Sequence, residues 1–148
     1  MKGFIRIANV TFDLNDSSLY SYVTICESDE NLDTYMFGIE ASFKKGMYEN
    51  KEVSPIVSTY FFETQVDDIS KIIGMTFEIN NIHESLGRED NLYLLGKEAF
   101  NNYKINALEI ENNEMHLEMI GSIVKDVDAW PRVCEDFIMD VWLKIDMI

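Results

Sequence analysis

The chain has 148 residues, with apolar side chains at 47% and charged ones at 26%, a composition that folds around a core and is unlike a disordered tail. Twelve Lys and Arg stand against 27 Asp and Glu, a net charge of −15. That balance argues against partners whose surface is anionic, whether nucleic acid or an acidic membrane, because binding them requires cations that displace counterions. No run of 18 apolar residues exists to cross a membrane as a helix. Residues 1–7 alternate around Arg6, unlike a signal peptide, so the expected location is the cytoplasm.

Taken in chain order, the dominant signal has a period of two. A first strand is predicted over 4–14, with Val10, Phe12 and Leu14 on one face. Asn15, Asp16 and Ser17 supply turn chemistry, and Leu19, Val23 and Ile25 read as a return strand over 18–26. Tyr35, Phe37, Ile39, Ala41 and Phe43 mark a strand over 35–43, and β-branched and aromatic residues mark others over 54–62 and 75–79. Between these two, Val66, Ile69, Ile72 and Ile73 follow Thr64 at helical spacing, with Asp67 and Asp68 in the first turn and Gly74 as the stop. A helix of about ten residues is predicted there. Residues 80–91 are polar and read as a loop. A hairpin follows, 103–110 and 115–124, turning at Glu111, Asn112, Asn113 and Glu114. Asp128 to Arg132 reads as a second short helix, with Pro131 in its first turn, before a final alternating strand over 137–147. With no repeat or linker, residues 1–148 read as a single domain. The expected fold is mainly β: an antiparallel sheet or sandwich of eight to nine strands with one or two short helices.

Motifs for catalysis are missing. Neither a glycine-rich phosphate cradle nor a calcium loop is present, and no catalytic residue, metal ligand or cofactor is assigned. His83 lies in the polar loop and His116 on a strand beside Glu118; nothing in their spacing brings them together as metal ligands. Cys26 and Cys134 each have acids as sequence neighbours, which raise a thiol pKa rather than activate it. They read as buried thiols, with a disulfide as the alternative.

What remains distinctive is where the acids fall. Glu27, Asp29, Glu30 and Asp33 place four charges in a stretch free of Lys and Arg. Glu109, Glu111, Glu114 and Glu118 do the same around the hairpin. Crowded like charges cost stability, but they steer a basic protein and raise its on-rate. Trp142 shares a face with Asp140 and Lys144, and together with Tyr20 and Tyr22 it is a candidate anchor of the kind that dominates interfaces. Solubility alone is the competing account of the charge.

Size, acidity, strand pattern and lack of catalytic motifs together resemble the small immunity proteins of bacterial contact-dependent growth inhibition systems. The resemblance implies a protein, not an enzyme, that neutralises a cognate basic toxin, often a nuclease, without touching nucleic acid itself. Acidic secretion chaperones are similar in length and charge, but usually carry a long helix that this sequence does not predict. An enzyme or small-molecule-binding domain is the third expectation.

Overall fold

A computed structural model describes residues 2–126 and 130–148. The chain is mainly β, and its elements follow the alternation of apolar side chains. In order they are β1 (Gly3–Ile7), β2 (Val10–Asp13), β3 (Tyr22–Glu27), β4 (Tyr35–Ser42), β5 (Gly46–Tyr48), β6 (Lys51–Val53), β7 (Ile56–Ser58) and β8 (Phe62–Glu63). A 3-10 turn (Ile69–Ile72), β9 (Thr76–Ile79), the helix α1 (Ile82–Arg88) and β10 (Asn91–Tyr93) come next. Three long strands finish the chain: β11 (Lys97–Glu111), β12 (Glu114–Asp126) and β13 (Val133–Met147). On β13, Phe137, Met139, Val141, Leu143 and Ile145 are buried, while the residues between them face outward.

The sheet closes on itself, so the mainly β expectation holds while the architecture is a barrel and not a sandwich. Strands run β12-β11-β10-β7-β4-β3-β13, and β13 returns to β12, making a barrel of seven strands with the others as extensions. The physical reason lies in strand length. A 15-residue strand accumulates enough right-handed twist for one of its edges to serve two neighbours in succession. The edge of β13 pairs first with β1, from Phe137 to Val141, and then in parallel with β3, from Lys144 to Met147. On β11 the same happens with β10 and β9. Closure removes the exposed edges that an open sheet would present. The interior is packed with side chains, among them the fully buried Phe37, Phe100, Ile25, Ile105 and Leu117.

Other expectations change in instructive ways. The strand predicted over 4–14 is a hairpin, β1 and β2, turning at Ala8 in the left-handed region (φ 55°). Buried positions are odd-numbered before that turn (Ile5, Ile7) and even-numbered after it (Phe12, Leu14). That break of phase was the legible signal. The strand predicted over 18–26 does not return along the first one; β3 lies between β13 and β4. The stretch 54–62 divides into β7 and β8, and β5, β6 and β10 were not foreseen.

The helix predicted at 66–73 is only the 3-10 turn. Asp68 caps it, its carboxylate accepting the Ser70 N–H, while the Thr64 hydroxyl donates to the Tyr35 carbonyl. Residues 80–91, read as a loop, contain α1. Asn81 caps it by accepting the Glu84 N–H, an Asn-x-x-Glu start that the polar composition concealed. Of the second predicted helix, Asp128 and Ala129 lie outside the described residues, and Trp130 to Arg132 are not helical.

One wall of the barrel holds by side chains rather than by backbone pairing. β8 pairs with β4 and β9 pairs with β11, and no ladder joins β8 to β9. Phe62 and Phe77, with ring centroids 5.3 Å apart, fill that seam together with Phe37 and Tyr103. The Arg88 guanidinium lies 3.8 Å from the Phe62 ring centroid and donates to the carbonyls of Tyr60 and Phe61. Asp90, 1% exposed, ties the set together by accepting from Arg88 Nε (2.9 Å), the Tyr103 hydroxyl (2.7 Å) and the Tyr60 N–H (2.7 Å). Burial and the nearby Asp90 carboxylate push the Tyr103 phenol far above its ordinary pKa, so it stays a donor.

Glu98 organises the turn between β10 and β11. Its carboxylate accepts the N–H groups of Leu94, Leu95 and Gly96. Glu98→Ala leaves the Leu95 and Gly96 N–H groups without their acceptor, while Leu94 keeps its bond to the Gly96 carbonyl, and an expected loss of about 2 kcal/mol in urea unfolding checks this role.

Candidate functional site

Both acidic clusters belong to the same end of the barrel. Glu114 on β12 pairs with Lys144, and Lys144 pairs on its other side with Tyr22 at the start of β3. β3 then runs parallel to β13, so the loop after Glu27 and the tip of the β11–β12 hairpin point the same way. The segment from Thr64 to Met75 crosses this end, bonded to Tyr35 on one side and to Ala107 on the other. Ile72 is fully buried beneath it.

Local chemistry sets the acids outward. At the first cluster, Ser28 is buried and its hydroxyl accepts the N–H groups of Glu30 and Asn31, which turns the loop and leaves Glu27, Asp29, Glu30 and Asp33 exposed. Leu32, at the crest, is 70% exposed. At the hairpin, Asn112 and Asn113 take left-handed backbone (φ 53° and 61°), the geometry a two-residue β-turn requires. Glu109 and Glu111 are exposed, and Glu114 and Glu118 are half-buried on the outer face of the barrel. Asp67 and Asp68 add to the same end, where Lys71 pairs with Asp67 at 2.7 Å.

The register brings Glu111, Glu114 and Trp142 around one depression, while the Glu27–Asp33 cluster shares that end of the barrel without lining it. Trp142 stands on the outer face of β13 directly opposite His116, and their rings stack at 4.7 Å with an interplanar angle of 9°. His116 Nε2 lies 2.7 Å from the Asp140 carboxylate, so two neighbours fix its ring. Glu118 lies opposite Asp140 and accepts from Asn106. Lys2 Nζ donates to Glu114 at 2.8 Å, and the Lys2 carbonyl accepts the Trp142 N–H. Two depressions of about 400 and 240 Å³ adjoin Trp142. Glu111 and Asn112 complete the first; Asp16, Ser18, Ser21 and Lys144 complete the second. Tyr22 lies beside Lys144, and Tyr20 is exposed on the loop before β3.

Lys2, Asp16 and Asp140 were not singled out from sequence. Lys2 and Glu114 are separated by 112 residues, and only barrel closure brings them together. A larger groove of about 460 Å³ lies farther along the same strands, between Arg6, Asn102, Ile120, Asp136 and Ile138. It mixes charges and has no aromatic wall lining its opening except for Phe137, whose ring is buried in the core.

The histidines and cysteines lie on separate elements, His83 on α1, His116 on β12, Cys26 on β3 and Cys134 on β13. His83 is exposed on α1 and His116 is in the sheet; among the described residues no group of three or more His, Cys, Asp or Glu converges as metal ligands do. Both cysteines are free. Cys134 pairs with Val124 near the start of β13, while Cys26 lies beyond the Met147–Ile25 pair at its end. At about 3.3 Å per residue the two are roughly 40 Å apart, far beyond disulfide reach. Cys134 is exposed, contrary to the buried reading. Burial pushes the Cys26 thiol pKa up, and Asp29 and Glu63 push it the same way.

No family model, no curated protein and no solved structure matches the chain. Among the described residues no helix is long and apolar enough to cross a membrane.

Proposed function

We propose that the chain is a small immunity-type protein that binds a cognate basic toxin in the cytoplasm and neutralises it by covering the toxin's positively charged groove, a nuclease being the favoured class. The observation that supports this reading is the gathering of carboxylates from the β3–β4 loop, the 3-10 segment and the β11–β12 hairpin at one end of the barrel, with a half-buried tryptophan beside the hairpin group. Like charges so placed repel one another and reduce stability, which a partner of opposite charge offsets. A nuclease is a fitting partner because its groove is built positive to hold phosphates.

The physics divides the roles. Exposed carboxylates such as Asp29, Glu30 and Glu111 set the association rate and its salt dependence, since such charges are screened beyond about 8–10 Å at physiological ionic strength. Trp142, with its ring already held by His116, suits the part of a pre-ordered anchor whose removal speeds dissociation. The rival reading of a secretion chaperone gains little from the fold, in which the described α-helix is seven residues long.

Co-expression tests the proposal. The chain is expected to protect cells from a basic protein encoded beside it. Replacing Glu27, Asp29, Glu30 and Asp33, or Glu109, Glu111, Glu114 and Glu118, by the corresponding amides should weaken protection, and lysines at those positions should weaken it further. Full protection with both clusters reversed would reduce the acidity to a matter of solubility.

A further inference from the structure

Trp142 has one ring face against His116, while the two depressions beside it share Lys2 and Glu114 as a common wall. Lys2, Glu114 and Trp142 are thus common to both depressions, which make up a trough along the tryptophan with the ion pair in its wall. Both side chains of the pair remain partly exposed, at 45% and 22%. Glu111 and Asp16 also lie close enough to act on the Lys2 ammonium. Elsewhere in the barrel a cation already sits against an aromatic ring, Arg88 on Phe62 and Lys125 on Tyr48, but among the described residues none is seated over Trp142.

We infer that this trough is a cation-recognition site for an arginine or lysine side chain of the basic partner, and that Lys2 holds Glu114 in the unbound protein until that side chain displaces it. The inference rests on the capture of a basic protein proposed above and names the place where one of its side chains is read. The chemistry is that of a guanidinium or ammonium group: an indole face for cation–π attraction, and the Glu114, Glu111 and Asp16 carboxylates for charge and hydrogen bonds. Arginine fits better than lysine, because its planar head stacks on the indole while still donating to a carboxylate. Lys2 is a competitor tethered to the same chain, so exchange of one exposed ion pair for another costs little and leaves the aromatic contact as gain.

The sign of one effect separates this site from general attraction. Removing a lysine from an acidic protein should strengthen the binding of any polycation slightly, wherever the lysine lies. Removing Lys2 should do more. In a Trp130→Phe background Trp142 is the remaining tryptophan, and its fluorescence reports titration with a hexa-arginine peptide. Lys2→Ala is expected to tighten binding about two- to fivefold beyond Lys51→Ala, a control on β6 that removes the same charge. Glu114→Gln should weaken binding about fivefold, and Trp142→Leu, followed by calorimetry, should do so comparably. Hexa-lysine should bind more weakly than hexa-arginine at equal charge.

Equal effects of Lys2→Ala and Lys51→Ala, or unchanged affinity in Glu114→Gln and Trp142→Leu, would overturn the site. In that case salt-dependent peptide binding that responds to the acidic clusters would still leave the proposed capture of a basic protein standing. Lys2 is on the surface, so its variant tests the inference even if a substitution at Trp142 fails to fold.

Discussion

Asp90→Ala is expected to lower the unfolding free energy by about 3–5 kcal/mol, because it removes one member of a buried charged pair and leaves the other in place. Three donors lose their acceptor at once: Arg88 Nε, the Tyr103 hydroxyl and the Tyr60 N–H. Tyr60 lies just before β8 and Tyr103 lies on β11, which carries β9, and no ladder joins β8 to β9. The loss therefore falls on the seam of the barrel. Asp90→Asn keeps the shape but places an amide among donors, and it should cost nearly as much. Tyr103→Phe removes a single hydrogen bond to a charged group, for an expected cost of about 1.5–3 kcal/mol. Urea unfolding of the three variants, with Arg88→Met and the Asp90→Ala/Arg88→Met double variant, measures the coupling. Additive losses in the double variant would contradict a connected network.

The second large effect is expected at Gly121 on β12. A Cβ there would overlap the Asn102 carbonyl oxygen and lie within 2.7 Å of the Tyr103 Cα, both backbone atoms of β11. The register shifts between Phe100 and Asn102 beside it, so the glycine sits next to a bend in the ladder. Backbone cannot yield as a flexible side chain does. Gly121→Ala should cost about 3 kcal/mol or more, seen as a lower urea midpoint or as insoluble protein. Gly87 provides the contrast: nothing lies within 4 Å of an added Cβ, and it sits in α1. Gly87→Ala should raise stability by about 0.5–1 kcal/mol.

How much of this could be read beforehand follows from the range of the interactions. Period-two alternation is local, and it revealed the long strands of the C-terminal half, where Met115, Leu117 and Met119 are all buried. Turn chemistry is local too, and it located the Asn112–Asn113 tip. The phase change between Ile7 and Phe12 was present in the residues, but a strand predicted straight through Ala8 passed over it. Closure of the barrel was not legible. It depends on β13 sharing one edge between β1 and β3, whose positions in the chain precede it by more than 100 residues. The candidate site divides the same way. Charge density identified both acidic clusters and the alternation put Trp142 on an outer face. That Lys2 would reach Glu114, or that His116 would stack on Trp142 rather than face solvent alone, depends on register between distant strands.

The proposed capture of a basic partner by the acidic end is tested most directly by stopped-flow association kinetics with the basic protein encoded beside this chain, at about 20 and 200 mM salt. The association rate should fall about tenfold or more across that range for the unmodified chain. Reversing Glu27, Asp29, Glu30 and Asp33 to lysine should slow association at low salt and flatten the dependence, while Trp142→Leu should act mainly on dissociation. A rate and salt dependence identical in the unmodified and charge-reversed proteins would contradict the account.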